Sequence, residues 1–435
     1  MTGNDANINE WRRIQIGDSL KIVRGISFPK NVRKEEPFTG SIACLRTKNV
    51  QHDVEWDDLW FVPEQYMKRD EQLVRTNDIL ISTANSLELV GKVAQVKDMP
   101  YRATLGAFIS LIRVPSELNP RFIYYQLSSP KIQNELHNVA STTTNISNIS
   151  TSKLSKISLN IPPLDEQEKI VEKIEELLSQ LDAGVAGLKR AKAELQRYRA
   201  SVLKAAFEGR LVPQDPDDEP IKKVFDSKGI KFLEKAKFPQ IPENYVWSRL
   251  ENCIDILDSK RVPINSKIRE KRIKDKKTSE LYPYYGATGQ VGLIDDYIFD
   301  EELVLLGEDG APFLDVNKDK AYIVKGKFWV NNHAHVLRAK NDLISNRFLL
   351  HYLNFFDFKD FVTGTTRLKL NQANMKSILI ILPPINEQNR IVNEIDKRLS
   401  IVSEISKSIE VGFRDSEFLR NTILKSAFTG ELKNR

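Results

Sequence analysis

The stretch Ile161-Pro162-Pro163-Leu164-Asp165-Glu166-Gln167 opens a helical pattern that closes at Leu203-Lys204-Ala205-Ala206-Phe207-Glu208-Gly209-Arg210-Leu211. Between these ends Ile170, Ile174, Leu177, Leu181, Leu188, Ala191, Leu195, Tyr198 and Val202 recur at alternating steps of four and three, interrupted at Gly184. That spacing is the apolar seam of a coiled coil. A helix over Leu164–Phe207 would be ~65 Å long at ~1.5 Å per residue, more than covering one core requires. It predicts a spacer.

The same pattern returns. Leu382-Pro383-Pro384-Ile385-Asn386-Glu387-Gln388 and Leu424-Lys425-Ser426-Ala427-Phe428-Thr429-Gly430-Glu431-Leu432 bracket a second helical stretch, and both brackets lie 221 positions after their first copies. In each copy the prolines end a strand and seed the first turn, where no amide donor is lost. The acidic residues just inside suit the positive end of the helix dipole, and Gly209 and Gly430 fit left-handed caps. The second seam keeps Ile391, Ile395, Val402, Ile405, Ile409, Leu419 and Ile423 but places Arg398, Gly412 and Ser416 at the other positions, where Leu399 and Phe413 can substitute locally. Gly184, Gly187 and Gly412 each cost up to ~1 kcal/mol in a helix interior. They mark close backbone approach, a hinge or a tolerated imperfection.

The 435 residues allow two to four domains, and 41% hydrophobic content supports buried cores. Met1 to Asn9 is too polar for a signal peptide, and the longest aliphatic run, 378–382, is far too short to span a bilayer. A cytoplasmic protein with no membrane contact is expected. Cys44 and Cys253 form no metal or redox spacing, which fits a reducing compartment and buried thiols. A net charge of +6 permits a polyanionic partner without demanding one.

In chain order, 11–161 reads as short strands at 41–45, 78–82, 90–96, 107–114 and 156–161, with an N-capped helix starting at Asn119-Pro120. An acidic, proline-rich linker follows Gly209, with Pro216-Asp217-Asp218-Glu219 expected as a solvated turn. Trp247 then restarts the pattern of Trp11. Arg113 is matched by Arg338, Arg121-Phe122-Ile123 by Arg347-Phe348-Leu349, and Thr143-Thr144-Asn145-Ile146 by Thr365-Thr366-Arg367-Leu368. The offset falls from 236 at the tryptophans to 221 at the prolines. A matched framework with indels is a duplicated unit whose loops have diverged. The expected fold is α+β: two mixed α/β domains separated by two long helices that pair as an antiparallel coiled coil, with internal pseudo-twofold symmetry. The expected divisions are 1–161, the first spacer at 162–209, a linker at 210–246, then 247–382 and the second spacer at 383–435.

No active site emerges. The glycines lack both the dinucleotide fingerprint and the P-loop spacing. The Pro-Pro pairs have aliphatic flanks rather than the polar and aromatic neighbours of an amino-methyltransferase pocket. His333 and His335 share a strand face but have no third ligand in view, so no metal is expected. Features suited to nucleic acid do occur. Lys260, Arg261, Lys267, Arg269, Lys271, Arg272, Lys274, Lys276 and Lys277 crowd one segment against only Glu270 and Asp275, a run able to neutralise phosphates or simply a solvated loop. The polar loops before each Pro-Pro offer Thr142, Thr143, Thr144, Asn145 and Asn148 in one copy, and Thr365, Thr366, Arg367, Lys369, Asn371 and Gln372 in the other. Arg, Asn and Gln suit bidentate reading of base edges. Arg46, Lys48, Asn49, Thr288 and Gln290 join them as candidates.

Two variable globules, each starting at a Trp and ending in Pro-Pro-x-x-Glu-Gln, with each helix closing in Ala-Phe-x-Gly-x-Leu, resemble the specificity subunit of type I restriction-modification systems. The resemblance covers nearly the whole chain. It implies two target recognition domains, each reading half of a split, asymmetric target in double-stranded DNA, with the helices setting the gap. It also implies two modification (methyltransferase) subunits and restriction (translocase and endonuclease) subunits as partners. S-adenosylmethionine would belong to the former, ATP and Mg2+ to the latter, and no cofactor or catalysis to this chain. Two other readings are a coiled-coil scaffold that never meets DNA and a self-contained methyltransferase or nuclease. The first leaves the basic loops unexplained, and the second lacks cofactor and metal motifs.

Overall fold

In a computed structural model, residues 11–143, 146–233, 240–429 and 431 are described. Contacts divide the chain into two units, 1–188 with 410–435, and 189–409. Each long helix, Leu164–Phe207 and Ile385–Ala427, therefore begins in one unit and ends in the other. Both units mix helix and sheet.

In the first unit an antiparallel sheet runs in the order Lys21–Arg24, Ile109–Arg113, Ile79–Ser82, Val93–Gln95, its inner strands buried on both faces. A second sheet places Ser41–Leu45 between antiparallel Trp60–Pro63 and parallel Ala103–Leu105. Strand Arg12–Gln15 pairs with Ser158–Ile161, the strand that leads into the first long helix. The second unit repeats the arrangement: Ile254–Ile256, Ala334–Ala339, Leu303–Gly307 and Ala321–Val324 form one sheet, and Tyr282–Gly286 sits between antiparallel Gly289–Ile294 and parallel Lys327–Val330 in another. Val246–Arg249 pairs with Leu379–Leu382 before the second long helix. The matched arginines each make an ion pair: Arg113 holds Asp78 at 2.7 Å, and Arg338 holds Glu301 at 2.6 Å.

The repeated motif proves to be a set of anchors. Gln167, 1% exposed, accepts the Asn119 N–H at 2.9 Å and donates to the Pro162 carbonyl at 2.9 Å. Asn119 in turn caps helix Pro120–Ser128 by accepting from Arg121 and Phe122, as its sequence predicts. Gln388, fully buried, accepts the Ser345 N–H and donates to Leu343 and Pro383, while Ser345 caps helix Asn346–Phe355. At the other ends, Phe207 meets Phe348 edge-on at 5.4 Å in the second unit, and Phe428 meets Phe122 edge-on at 5.4 Å in the first. The chain leaves the first helix through Gly209 at φ +71, with Arg210 N–H bonded to Ala205 and Gly209 N–H to Ala206. Gly430 lies outside the described residues.

Burial along the helices departs from the expected seam. In the first unit Ile170, Val171, Ile174 and Leu178 enter one core with Leu424 and Ala427, so Leu178 rather than Leu177 is the buried member of that pair. In the second, Val202, Leu203, Ala206 and Phe207 share a core with Ile391, Val392 and Ile395. Ala191, Tyr198, Ile405 and Leu419, all expected in the seam, are exposed. A straight helix drifts by ~20° per heptad from a 3.5-residue repeat, and a globular core covers a wider stripe than a single partner helix does. Gly412 marks a close approach, since a Cβ there would lie 3.0 Å from Leu188. Gly184 has open space around it.

The segment expected as a solvated linker is built into the second unit. Ile221 and Phe225, on helix Ile221–Ser227, are buried in its core, and Asp218, 7% exposed, binds Arg390 at 2.6 Å. The Arg390 guanidinium replaces the water that Asp218 loses on burial. Nearby, the fully buried Glu387 accepts the Tyr245 hydroxyl at 2.6 Å. Burial raises the Glu387 carboxyl above its ordinary 4.5 despite the opposing pull of Tyr245 and Arg390. Among the described residues, no helix is long and apolar enough to cross a membrane.

Three outcomes follow. Phe207→Ala should cost ~3–5 kcal/mol through its cavity, and Gln388→Ala about 1–3 kcal/mol by leaving the Ser345 amide without its partner, both read from urea midpoints. For Glu387 the native state keeps its proton to higher pH than the unfolded chain does. Its stabilisation is complete below the unfolded pKa and lost as pH rises through the folded one. Glu387→Gln, compared with the unsubstituted protein at pH 4 and pH 7, should therefore gain relative stability at the higher pH (about 4 and 7 bracketing the ordinary carboxylate range); a difference constant across that range would refute the account.

Candidate nucleic-acid interface

In the first unit the candidates lie where strand Ser41–Leu45 ends. Asn49, 1% exposed, accepts the Arg46 N–H at 2.8 Å and donates to the carbonyls of Glu55 and Asp57 at 2.9 Å each. All of its amide groups are thus engaged, and it presents no edge to a base, contrary to expectation. Its structural effect is to pin the turn that carries Arg46 and Lys48. Both cations converge on Asp58, Arg46 at 2.8 Å and Lys48 at 2.5 Å. Hydrogen bonding from Lys48, with Arg46 beside it, holds the Asp58 carboxyl below the usual range. The Arg46 guanidinium lies over the Trp60 ring at 4.4 Å. Thr143 closes a turn by hydrogen-bonding to the Ile146 carbonyl, while Thr144 and Asn145 lie outside the described residues.

In the second unit an ionic network gathers residues distant in sequence. His335, 1% exposed on strand Ala334–Ala339, sets Nδ1 against Asp258 at 2.6 Å and Nε2 against the Leu370 carbonyl at 2.9 Å. Arg261 reaches Glu308 at 2.7 Å and Asp258 at 3.5 Å. Burial alone would raise the Asp258 carboxyl, but His335, the Val336 amide and Arg261 together hold it low. The third potential ligand missing from the sequence reading of the histidines thus exists, since donor atoms of Asp258, Glu308 and His335 lie within 4.8 Å of one another. Arg261 already supplies the positive charge there, and both ring nitrogens are engaged. The cluster is a salt-bridged support for the loops above it.

Those loops carry the remaining candidates. Arg367 binds Asp309 at 2.8 Å beside His333, Lys369 lies 3.3 Å from Glu308, and Gln372 donates to Asp258. Thr366 is exposed. Asn371 faces inward, accepting the Asn374 N–H as the cap of helix Gln372–Ser377. Thr288 and Gln290 flank Gly289 on an exposed hairpin turn.

The basic run is partly a helix, Ser266–Ile273, capped by Asn265. Arg269 packs over Tyr284 at 4.7 Å, and Arg272 sits over Trp329 while binding Asp295 at 2.6 Å. Lys276 shares Asp295. Among the described residues, Lys267, Lys271 and Lys274 have no carboxylate partner. Arg261 and Arg272 spend their charge within the unit, whereas those lysines leave theirs to solvent or a polyanion. The cysteines offer no chemistry: burial pushes both thiols up to about 12.

The sequence profile of the type I restriction modification DNA specificity domain matches residues 8–197 and again 242–411. The StySPI specificity subunit of Salmonella potsdam is 24% identical over 435 residues, covering 97% of this chain and 89% of that protein. The EcoKI specificity subunit of Escherichia coli is also 24% identical, with the same coverage of 97% and 89%. A chain solved in work on complex assembly and conformational transition of the type I R-M system superposes with a TM-score of 0.66 at 17% identity, covering 97% of this chain and 98% of that one. The profile falls once on each copy of the repeat that the strand orders display, so the chain belongs to the type I restriction-modification DNA specificity family, as a specificity subunit.

Proposed function

We propose that each unit reads one half of a split, asymmetric DNA target, and that the two long helices pair antiparallel as spacers relating the units by a pseudo-twofold axis. The observation that carries this reading is one strand order used twice with unlike loops on it: Arg46-Thr47-Lys48-Asn49 after one central strand, Ala287-Thr288 after its counterpart. A shared framework gives two readers a common stance, and different loops give them different bases. Equal residue counts between the matching end motifs suit a fixed gap.

In this reading the chain performs no chemistry. Two modification subunits hold S-adenosylmethionine and methylate adenine, and restriction subunits use ATP and Mg2+. The exposed apolar residues of the second long helix, among them Ile401, Val411 and Phe418 at 50, 43 and 71% exposure, support its role as a surface for those partners.

The test is to map methylated adenines across a genome in which the chain and its modification partner are expressed. Replacing residues 247–382 with those of a relative should change one half of a bipartite motif and leave the other. Inserting four residues into the first spacer adds ~6 Å of helix and should alter the gap; methylation indifferent to both changes would refute the proposal. Lys271→Ala should weaken binding of the assembled complex on all duplexes alike and lower the slope of affinity against salt by about one.

A further inference from the structure

A cavity of about 410 Å³ opens in the first unit where three segments meet, 26–28, 46–48 and 106–108. Backbone contacts fix their meeting. Ile26 N–H bonds to the Leu105 carbonyl at 2.7 Å and Gly106 N–H to the Leu45 carbonyl at 2.9 Å, and a Cβ on Gly25 would lie 2.1 Å from the Gly106 oxygen. The walls are therefore rigid before any ligand arrives.

Rings and cations line them. Trp60 has Phe28 edge-on at 6.2 Å, with the Arg33 guanidinium over it at 4.0 Å and that of Arg46 at 4.4 Å. Phe108 stands at the rim, 63% exposed and, among the described residues, without a ring partner. Lys30 and Arg33 also line the cavity and have no carboxylate partner among the described residues. The Arg46 Nε–H is buried without an acceptor.

We propose that this slot binds one unstacked nucleotide of a DNA strand, its base against Phe108 and its phosphate on Lys30 and Arg33. The proposal rests on DNA recognition by this unit and adds a specific device to it. Bases within an intact duplex keep their faces covered by stacking, so an aromatic slot serves a base that has left the stack, and flat rings beside cations are how single strands are held. The volume lies within the ~300–1,000 Å³ of small-ligand sites. The second unit carries Ala287 and Thr288 after the equivalent strand, in place of Arg46-Thr47-Lys48, so the device belongs to one half-site.

The test uses the full chain and a fluorescein-labelled thymidine hexanucleotide, followed by anisotropy, with competing thymidine monophosphate. Phe108→Ala, at an exposed position, and Arg33→Glu should each weaken hexanucleotide binding about tenfold or more, and Arg33→Glu should also flatten its salt dependence. The mononucleotide, which offers the same base and phosphate, should displace the strand when added in excess. Variants that fold by circular dichroism yet bind like the unsubstituted chain would overturn the slot, and so would a strand that excess mononucleotide fails to displace. Because this assay needs no methyltransferase, a failure here is separate from a failure to find a bipartite methylation motif.

Discussion

The constraint on which the rest depends is that each long helix is fixed at both ends by buried side chains. A glutamine ties its first turn to the cap of a neighbouring helix, and a phenylalanine wedges its last turn against an aromatic core. A rod of 44 residues carries positional information only if its ends cannot slip. Gln167 and Gln388 supply that, since each satisfies backbone groups that would otherwise be buried unpaired, and a shift of one residue would strand them. Length is then set by counting residues, which explains why both copies keep the same count while the loops around them gain and lose residues.

Much of this was legible because periodicity and punctuation are local properties. The helix ends, the cap at Asn119, the duplicated frame and the buried cysteines all come from patterns within a few positions. The role of Gln167 and Gln388 was not, because a motif records which residues recur and not what they touch. Asn49 was misread for a related reason: its amide chemistry suits a base edge, but tertiary placement turned it inward to three backbone groups. Asp218 likewise looked like part of a solvated turn until Arg390, 172 positions away, supplied its partner.

The candidate site was harder still, because it is assembled rather than contiguous. Trp60, Phe28, Arg33 and Phe108 carry no mutual spacing, and no pass along the chain would join them. Exposed aromatic side chains beside glycine, as at Gly106-Ala107-Phe108, are the one local signal that could have drawn attention there. The basic run shows the opposite error. Counting charges overstates what is available, since Asp295 and Glu308 arrive from elsewhere in the fold to neutralise Arg272, Lys276 and Arg261.

That neutralisation bears on how a specificity subunit avoids holding DNA indiscriminately. A surface of unpaired lysines binds any sequence by releasing counterions. Cations already paired to carboxylates, as Arg46 and Lys48 are to Asp58 and Arg367 is to Asp309, gain little from a phosphate unless the incoming strand also offers something the carboxylate cannot. Hydrogen bonds to a particular base edge, or a ring to stack on, meet that condition, and only correct sequence places them in register. Pairing the loop cations internally lowers the affinity for any duplex and leaves the difference between duplexes intact. Discrimination is the quantity that a specificity subunit contributes.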